Sequence, residues 1–290
     1  LGGSSNVVLH ILALAEELGI GDSIDVDLLG HWGKKIPCIA DVMPSGKYSV
    51  TELDEAGGAQ AVMKQVEQYL HKNALTVNGK TIGENLENAK VLDSDIIRPL
   101  SNAVFERGLV VVKGNLATSA IVRFSVFPQA LLKFSGPAKV FGDVQEARDE
   151  VKNNKIKRGD AIVVRYVGPR GGPGMQCLLS LMYELHGADL ANYCPLITDG
   201  KFSGFATGAY VCHVTPEAAV GGPLAVVKDN DVIKLDVVDG KFNVNIADEE
   251  LQKRLTEWKP NEPKVKRGYL TLWAKMANSA EKGAGLPYNI

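Results

Sequence analysis

Apolar positions change their period partway along this 290-residue chain. Over roughly the first hundred residues they recur at three- and four-residue spacing, the mark of helices with one buried face. Val7, Val8, Ile11, Leu12, Leu14, Ala15 and Leu18 form such a stripe, with Ser5 or Asn6 placed to cap it and Gly19 to stop it. Further helices are predicted over 25–32, from a Thr51 cap to Gly57-Gly58, over 59–71, and after a Thr81 cap. Cys38 to Val42 reads as a short extended segment and Pro44 to Tyr48 as a turn. From about Asn102 the runs shorten and turn signals crowd in. Strands are predicted at 109–112, 120–124, 138–141, 161–166, 195–198, 210–214, 224–227, 232–238 and 242–246, the last two joined by an Asp239-Gly240 hairpin. Helices interrupt at 144–153, 176–186, 248–258 and about 268–280, with Asp248 placed to cap the third. The expectation is an α/β protein: a mainly helical segment, 1–102, then a barrel-like β segment, 103–290, with helices packed outside.

Composition narrows the class. The chain is 45% hydrophobic and 23% charged, with a net charge of −2 and no polybasic block, which argues against nucleic acid or an anionic membrane as partner. The longest apolar stretch, Val7 to Leu18, is broken by His10, Glu16 and Glu17 and falls short of the roughly 18 residues that cross a bilayer. Cys38, Cys177, Cys194 and Cys212 are scattered, with no C-x-x-C pair, so reduced core thiols in a cytosol-like compartment are expected. Leu1-Gly2-Gly3 carries no initiator Met and no leader pattern, and reads as the middle of a domain; the chain is expected to be the C-terminal part of something longer.

Two segments could carry chemistry. Thr198-Asp199-Gly200-Lys201-Phe202-Ser203-Gly204 lies between two apolar runs and presents one hydroxyl, Ser203, at a strand end, where a rigid sheet can hold a reactive group. The plainer reading is a serine in a tight Asp-Gly turn. Gly168 to Met175 follows a strand and leads toward a helix, so its backbone N–H groups, around Gly172 and Gly174, could seat a carboxylate or phosphate. It matches neither the Walker pattern nor G-x-G-x-x-G, and could also be a stiffened loop. Lys47, after Ser45-Gly46, could meet an anion or be solvated. The five histidines are isolated; His213, on the strand after the serine segment, is the best placed.

Together these segments resemble the dihydroxy-acid and sugar-acid dehydratases (dihydroxy-acid dehydratase, phosphogluconate dehydratase and the aldonate dehydratases). The matching stretches are Gly2 to Asn6 with Leu9-His10, Pro44 to Tyr48, Lys113 to Ala117, Gly136 to Phe141, Gly168 to Met175, Thr198 to Gly204 and His213 to Ala218. Asp248 to Leu251 with Trp258, and Ser279-Ala280 with Gly283-Ala284, close the set. The resemblance implies that 1–102 completes an N-terminal α/β domain and that 103–290 is a swivelling β/β/α domain closing over the active site. It also implies removal of water from a 2,3-dihydroxy acid to give a 2-keto acid, with Ser203 as the base and with Asn6, Ser45, Lys47, Gly172 and Gly174 at the substrate. An iron–sulfur cluster and Mg²⁺ are implied cofactors, with ligands mostly upstream of Leu1, and a homodimer or homotetramer in the cytoplasm or an organelle is the implied setting.

The sequence departs from the family pattern where an Mg²⁺ ligand is implied. The family's Glu two residues after Gly-Pro-Gly-Met is Cys177 here, and Glu184 stands about two helical turns, ~10 Å, further on. A thiol is a soft donor where Mg²⁺ wants oxygen. Ser180-Leu181-Met182 and Thr118-Ser119-Ala120 also depart. A divergent homologue serving as a binding or assembly subunit is therefore the alternative, and a sugar-acid or phosphate binding module explains the glycine segments alone.

Overall fold

The computed structural model describes residues 3–287; Leu1 and Gly2, which open the first matched stretch, lie outside them. Helices α1 (Asn6–Glu17), α2 (Val26–Lys35), α3 (Val50–Glu55), α4 (Gly58–Gln65) and α5 (Ile82–Leu86) make up the first third. Their caps follow local chemistry. Thr81 caps α5 as expected, exchanging hydrogen bonds with Glu84. Ser49 rather than Thr51 caps α3, because Ser49 stands three residues before Glu52 and the pair can close a reciprocal box. At α1 neither expected residue caps: Ser5 already has helical backbone angles, the Asn6 amide donates elsewhere, and Ser4 Oγ accepts the Asn6 N–H at 3.2 Å instead.

Eight strands follow: β1 (Leu109–Gly114), β2 (Ala117–Arg123), β3 (Lys133–Phe141), β4 (Ala161–Val164), β5 (Leu196–Thr198), β6 (Tyr210–Thr215), β7 (Val232–Asp236) and β8 (Lys241–Val244). They close into a barrel in the order β1-β2-β6-β5-β4-β3-β7-β8. The pairs β3–β4, β4–β5 and β5–β6 are parallel, whereas β1–β2, β2–β6, β3–β7 and β7–β8 are antiparallel. Alternation along each strand sorts residues into two cores. Val110, Val112, Ala120, Val122, Val163, Ile197 and Phe242 belong to one. Ile121, Ile162, Val164 and Leu196 belong to the other, under the outer helices α6 (Val144–Lys152) and α7 (Leu179–Gly187). β4 is buried on both faces, which explains its unbroken apolar run. Helices α8 (Asp248–Glu257) and α9 (Leu270–Met276) complete the chain.

The barrel-bearing α/β class agrees with expectation, and three local readings are corrected. Where a strand was expected at 224–227, Pro223–Val226 form a 3₁₀ turn, and the Arg165 guanidinium gathers the carbonyls of Leu224, Ala225 and Val227 at 3.1, 2.6 and 2.9 Å. α8 begins at Asp248 without a side-chain cap. α7 begins at Leu179, three residues late, for a reason that belongs to the site.

The chain divides into two compact units, 32–108 on the one hand and 3–31 together with 109 onward on the other. α1 belongs with the barrel, because Val8 and Leu12 are buried with Ile121 and Ile162. The 32–108 unit has its own core of Ile39, Ala61, Val66 and Ile97.

Candidate functional site

Adjacent parallel strands send their carboxyl ends to the same end of a sheet, so the segments after β4, β5 and β6 meet there. Hydrogen bonds lace them together. Gln176 N–H donates to the Val167 carbonyl at 2.9 Å, Lys201 N–H to Gln176 at 3.0 Å, Leu178 N–H to Lys201 at 3.0 Å, and His213 N–H to Gly200 at 3.0 Å. This extended pairing of Gln176 to Leu178 with Lys201 is what delays α7. Close approach makes glycine necessary at two points. A Cβ at Gly200 would stand 2.8 Å from the Gln176 carbonyl oxygen, and one at Gly172 would stand 2.8 Å from the Val167 Cα.

Two carboxylates hold the backbone of these segments. Asp199, wholly buried, accepts the N–H groups of Tyr166 at 3.1 Å, Val167 at 3.0 Å and Ala218 at 3.0 Å. Glu217 accepts those of Arg170, at 2.9 and 3.1 Å, and Gly171, at 2.9 Å. Burial raises both carboxyl pKa values, Glu217 to about 7, although the N–H groups pull them down. The N–H groups of the glycine turn find partners within the protein. Within the Gly168–Met175 turn, Gly172 N–H donates to Gly168 and Gly174 N–H to Pro169, and Glu217 takes Arg170 and Gly171. Glu217 thus holds the first half of the turn, and backbone carbonyls of the turn hold Gly172 and Gly174.

Backbone strain marks the same place. Tyr166, Met175 and His213 all have positive φ (61°, 62° and 55°), a region that non-glycine residues enter at a cost. His213 stands at a bulge, since three steps of β6, Cys212 to Thr215, oppose two of β2, Ile121 to Ser119. Its ring is buried, and neither nitrogen has a hydrogen-bond partner among the described residues. Burial, then Lys201, depress its pKa to about 3, so the imidazole is neutral.

Ser203 is half-buried, and its Oγ accepts the Phe205 N–H at 3.3 Å. It borders a cavity of about 10 Å³ lined also by Ser5, Arg123, Phe202 and Cys212, too small to hold more than one water. Arg123 donates to the Gly204 carbonyl. Asn6, at the start of α1, donates its side-chain amide to the Phe202 carbonyl at 3.1 Å, while its Oδ1 is buried without a partner among the described residues. Asn6, Ser203, Gly172 and Gly174 are therefore brought into one unit. Ser45 and Lys47 lie in the 32–108 unit, where Asp41 ties their turn by accepting Lys47 N–H at 3.0 Å and pairs with Arg98 at 2.8 Å.

Asp199 and Glu217 were not legible as a pair. Each sits inside a segment singled out for other residues, and the only signal was an acidic side chain just past a β run.

The residues present do not fit the implied cofactors. No three His, Cys, Asp or Glu side chains among the described residues could hold a metal ion together. Cys194 and Cys212 donate to the Lys157 and Ile121 carbonyls, and burial lifts their pKa to about 11 and about 12, so both remain thiols. Cys38 is buried in the 32–108 unit and Cys177 is exposed. Glu184 is engaged by Arg148 at 2.9 Å and Lys152 at 3.3 Å.

Comparison with known proteins shows the family of the chain as a whole. The profile described as dihydroxy-acid/6-phosphogluconate dehydratase C-terminal matches residues 95–284, and its N-terminal counterpart matches 1–85. The chain belongs to the dihydroxy-acid/6-phosphogluconate dehydratase family. It is 44% identical over 288 residues to the dihydroxy-acid dehydratase of Acetivibrio thermocellus, covering 98% of this chain and 52% of that protein. It is 43% identical over 292 residues to that of Ignicoccus hospitalis, covering 99% and 52%, and 42% identical over 290 residues to that of Picrophilus torridus, covering 98% and 52%. The chain spans about half the length of these relatives.

Proposed function

We propose that this chain forms the serine-bearing part of a hydro-lyase that converts a 2,3-dihydroxy acid or sugar acid to a 2-keto acid. The observation that supports this best is Ser203 itself: a half-buried hydroxyl on a segment laced to the glycine turn, in a chain of the dehydratase family. In this reading Ser203 Oγ acts as an alkoxide and takes the C2 proton; the freed electron pair forms the C2–C3 double bond as the C3–O bond breaks, the departing hydroxide takes the proton back from Ser203 and leaves as water, and the resulting enol tautomerises to the 2-keto acid. A neutral serine is a weak base, so the reading requires further positive charge or N–H donors at Oγ beyond the single Phe205 amide. The resemblance implies an iron–sulfur cluster and Mg²⁺, which would supply Lewis acidity. Because the described residues offer them no donor set, their ligands belong in this reading to polypeptide that the relatives have and this sequence lacks.

The finer expectations share that standing: 1–102 completing an N-terminal α/β domain, 103–290 as a swivelling domain, Asn6, Ser45, Lys47, Gly172 and Gly174 near the substrate, a homodimer or homotetramer, and a cytoplasmic or organellar setting. No helix among the described residues is long and apolar enough to cross a membrane. None of the relatives' names favours a non-catalytic binding or assembly subunit.

The test is release of 2-keto acid from a 2,3-dihydroxy acid by a protein that joins this chain to the half it lacks relative to its relatives. Ser203→Ala should lower release by about 10²- to 10⁴-fold. Full turnover in that variant removes Ser203 from the reaction.

A further inference from the structure

We infer that the cavity between the glycine turn, the 260–266 segment and α9 is a binding site for a doubly charged phosphate group, free or carried by a small organic ester. It shares no lining residue with the cavity at Ser203, and it does not rest on the dehydratase reading.

Charge carries the argument. The cavity has a volume of about 650 Å³, enough for a small organic molecule. Arg170, Lys264, Lys266 and Lys275 line it, against one acidic side chain, Glu262. Lys266 takes Glu262 at 2.8 Å, so three cations are left without a carboxylate in that wall. Like charges gathered around one concave space repel, and low-dielectric walls focus their field into it. An anion among them relieves the repulsion, whereas a neutral or cationic ligand does not. Glu217 attracts Arg170 but lines a different cavity, and its carboxylate is already held by two N–H groups.

Two of the cations are held in place before a ligand arrives. Arg170 Nε donates to the Ala277 carbonyl at 2.7 Å, which fixes the plane of the guanidinium. Its two terminal nitrogens then suit a forked contact with an oxyanion. Lys264 Nζ donates to the Tyr166 and Gly142 carbonyls at 2.9 and 3.2 Å, which leaves it one further N–H to give. Lys275, on α9, adds the third charge. A phosphate monoester carries close to two negative charges at neutral pH and three strong acceptor oxygens, so it can meet all three cations at once. Tyr166, Val220, Val265 and Ala274 give the same cavity an apolar side, where the organic part of an ester would lie. Bound there, the phosphate ties α9 and the 260–266 segment to Arg170, and so to the turn that Glu217 holds.

The experiment is a titration of the ¹⁵N-labelled chain with glycerol 3-phosphate and, separately, with inorganic phosphate, at constant ionic strength. The amides of Gly171 and Lys275 should shift together and saturate as one site. Lys275→Gln should weaken binding about tenfold, the loss of one charge-assisted contact. Arg170→Lys should weaken it by a similar factor, because the charge stays and the fork goes. Lys253→Gln removes an exposed charge on α8, outside the cavity, and should leave binding unchanged. Tighter binding of glycerol 3-phosphate supports the site and assigns it to an organic ester; equal binding of the two supports it and assigns it to the free anion. Shifts that do not saturate, or an equal loss in Lys253→Gln, overturn the site as diffuse attraction to surface lysines. Should Arg170→Lys fail to fold, Lys275→Gln, at an exposed position, still decides.

Discussion

Lys201 donates its main-chain N–H to the carbonyl of Gln176 at 3.0 Å and accepts the Leu178 N–H at 3.0 Å, and these two bonds join the serine segment to the exit of the glycine turn. The two backbones can run so close because residue 200 has no side chain. Gly200→Ala would push a Cβ against the Gln176 carbonyl, with Leu178 and Val167 closing the other sides at 3.0 and 3.1 Å. The expected loss is about 1–3 kcal/mol of stability. Urea denaturation of the variant measures it, and an unchanged midpoint would contradict the close packing.

Ser203→Ala should behave differently. Ser203 is half-buried and its Oγ accepts one amide, so its removal should change stability by about 0.5 kcal/mol or less. Turnover of the completed protein should fall between about 10²- and 10⁴-fold. Thermal unfolding and 2-keto acid release, measured side by side, separate the two effects.

The buried carboxyl at 217 makes a signed prediction for stability. Its folded pKa is raised to about 7 from 4.5, so the folded chain holds more protons than the unfolded one between those values. Its contribution is therefore most favourable below pH 4.5 and is lost as pH rises through 7. Glu217→Gln should remove that loss and be more stable than the unaltered chain at pH 8 by about 3 kcal/mol at most. Urea midpoints at pH 5 and pH 8 for both proteins supply the comparison.

His213 slopes the other way. With its folded pKa depressed to about 3 from 6.5, the unfolded chain holds the extra proton, and stability falls as pH drops from 6.5 toward 3. The two groups oppose each other between pH 4.5 and 6.5, so the unaltered chain should look flatter there than either single variant. His213→Asn, which tolerates the left-handed backbone, should lose the acid-side fall in urea midpoints.

Thiol chemistry checks the cysteine environments. Cys177 is exposed while Cys38, Cys194 and Cys212 are buried. One thiol should react promptly with a disulfide reagent in the folded chain, and all four in denaturant. Rapid reaction of three thiols in the folded chain would reopen the question of a cluster held here.

Much of the barrel follows from the chain alone. Two-residue alternation around Ala120, Ile121 and Val122 has one packing solution when both faces are covered, and Asp239-Gly240 can hardly do other than turn β7 into β8. The serine segment was legible for the same local reason, being polar and glycine-bracketed between two apolar runs. What decided the site was not local. Glu217 lies 47 residues from Arg170, and Asp199 lies 33 from Tyr166; Asn6 lies 196 from Phe202. No spacing rule links such positions, because it is the parallel pairing of β4, β5 and β6 that brings their ends together. That same pairing turned Gln176 to Leu178 from helix to extended chain and set Glu217 against the Arg170 and Gly171 N–H groups. Side-chain period is set residue by residue, whereas the partner of a buried polar group is set by which strands become neighbours.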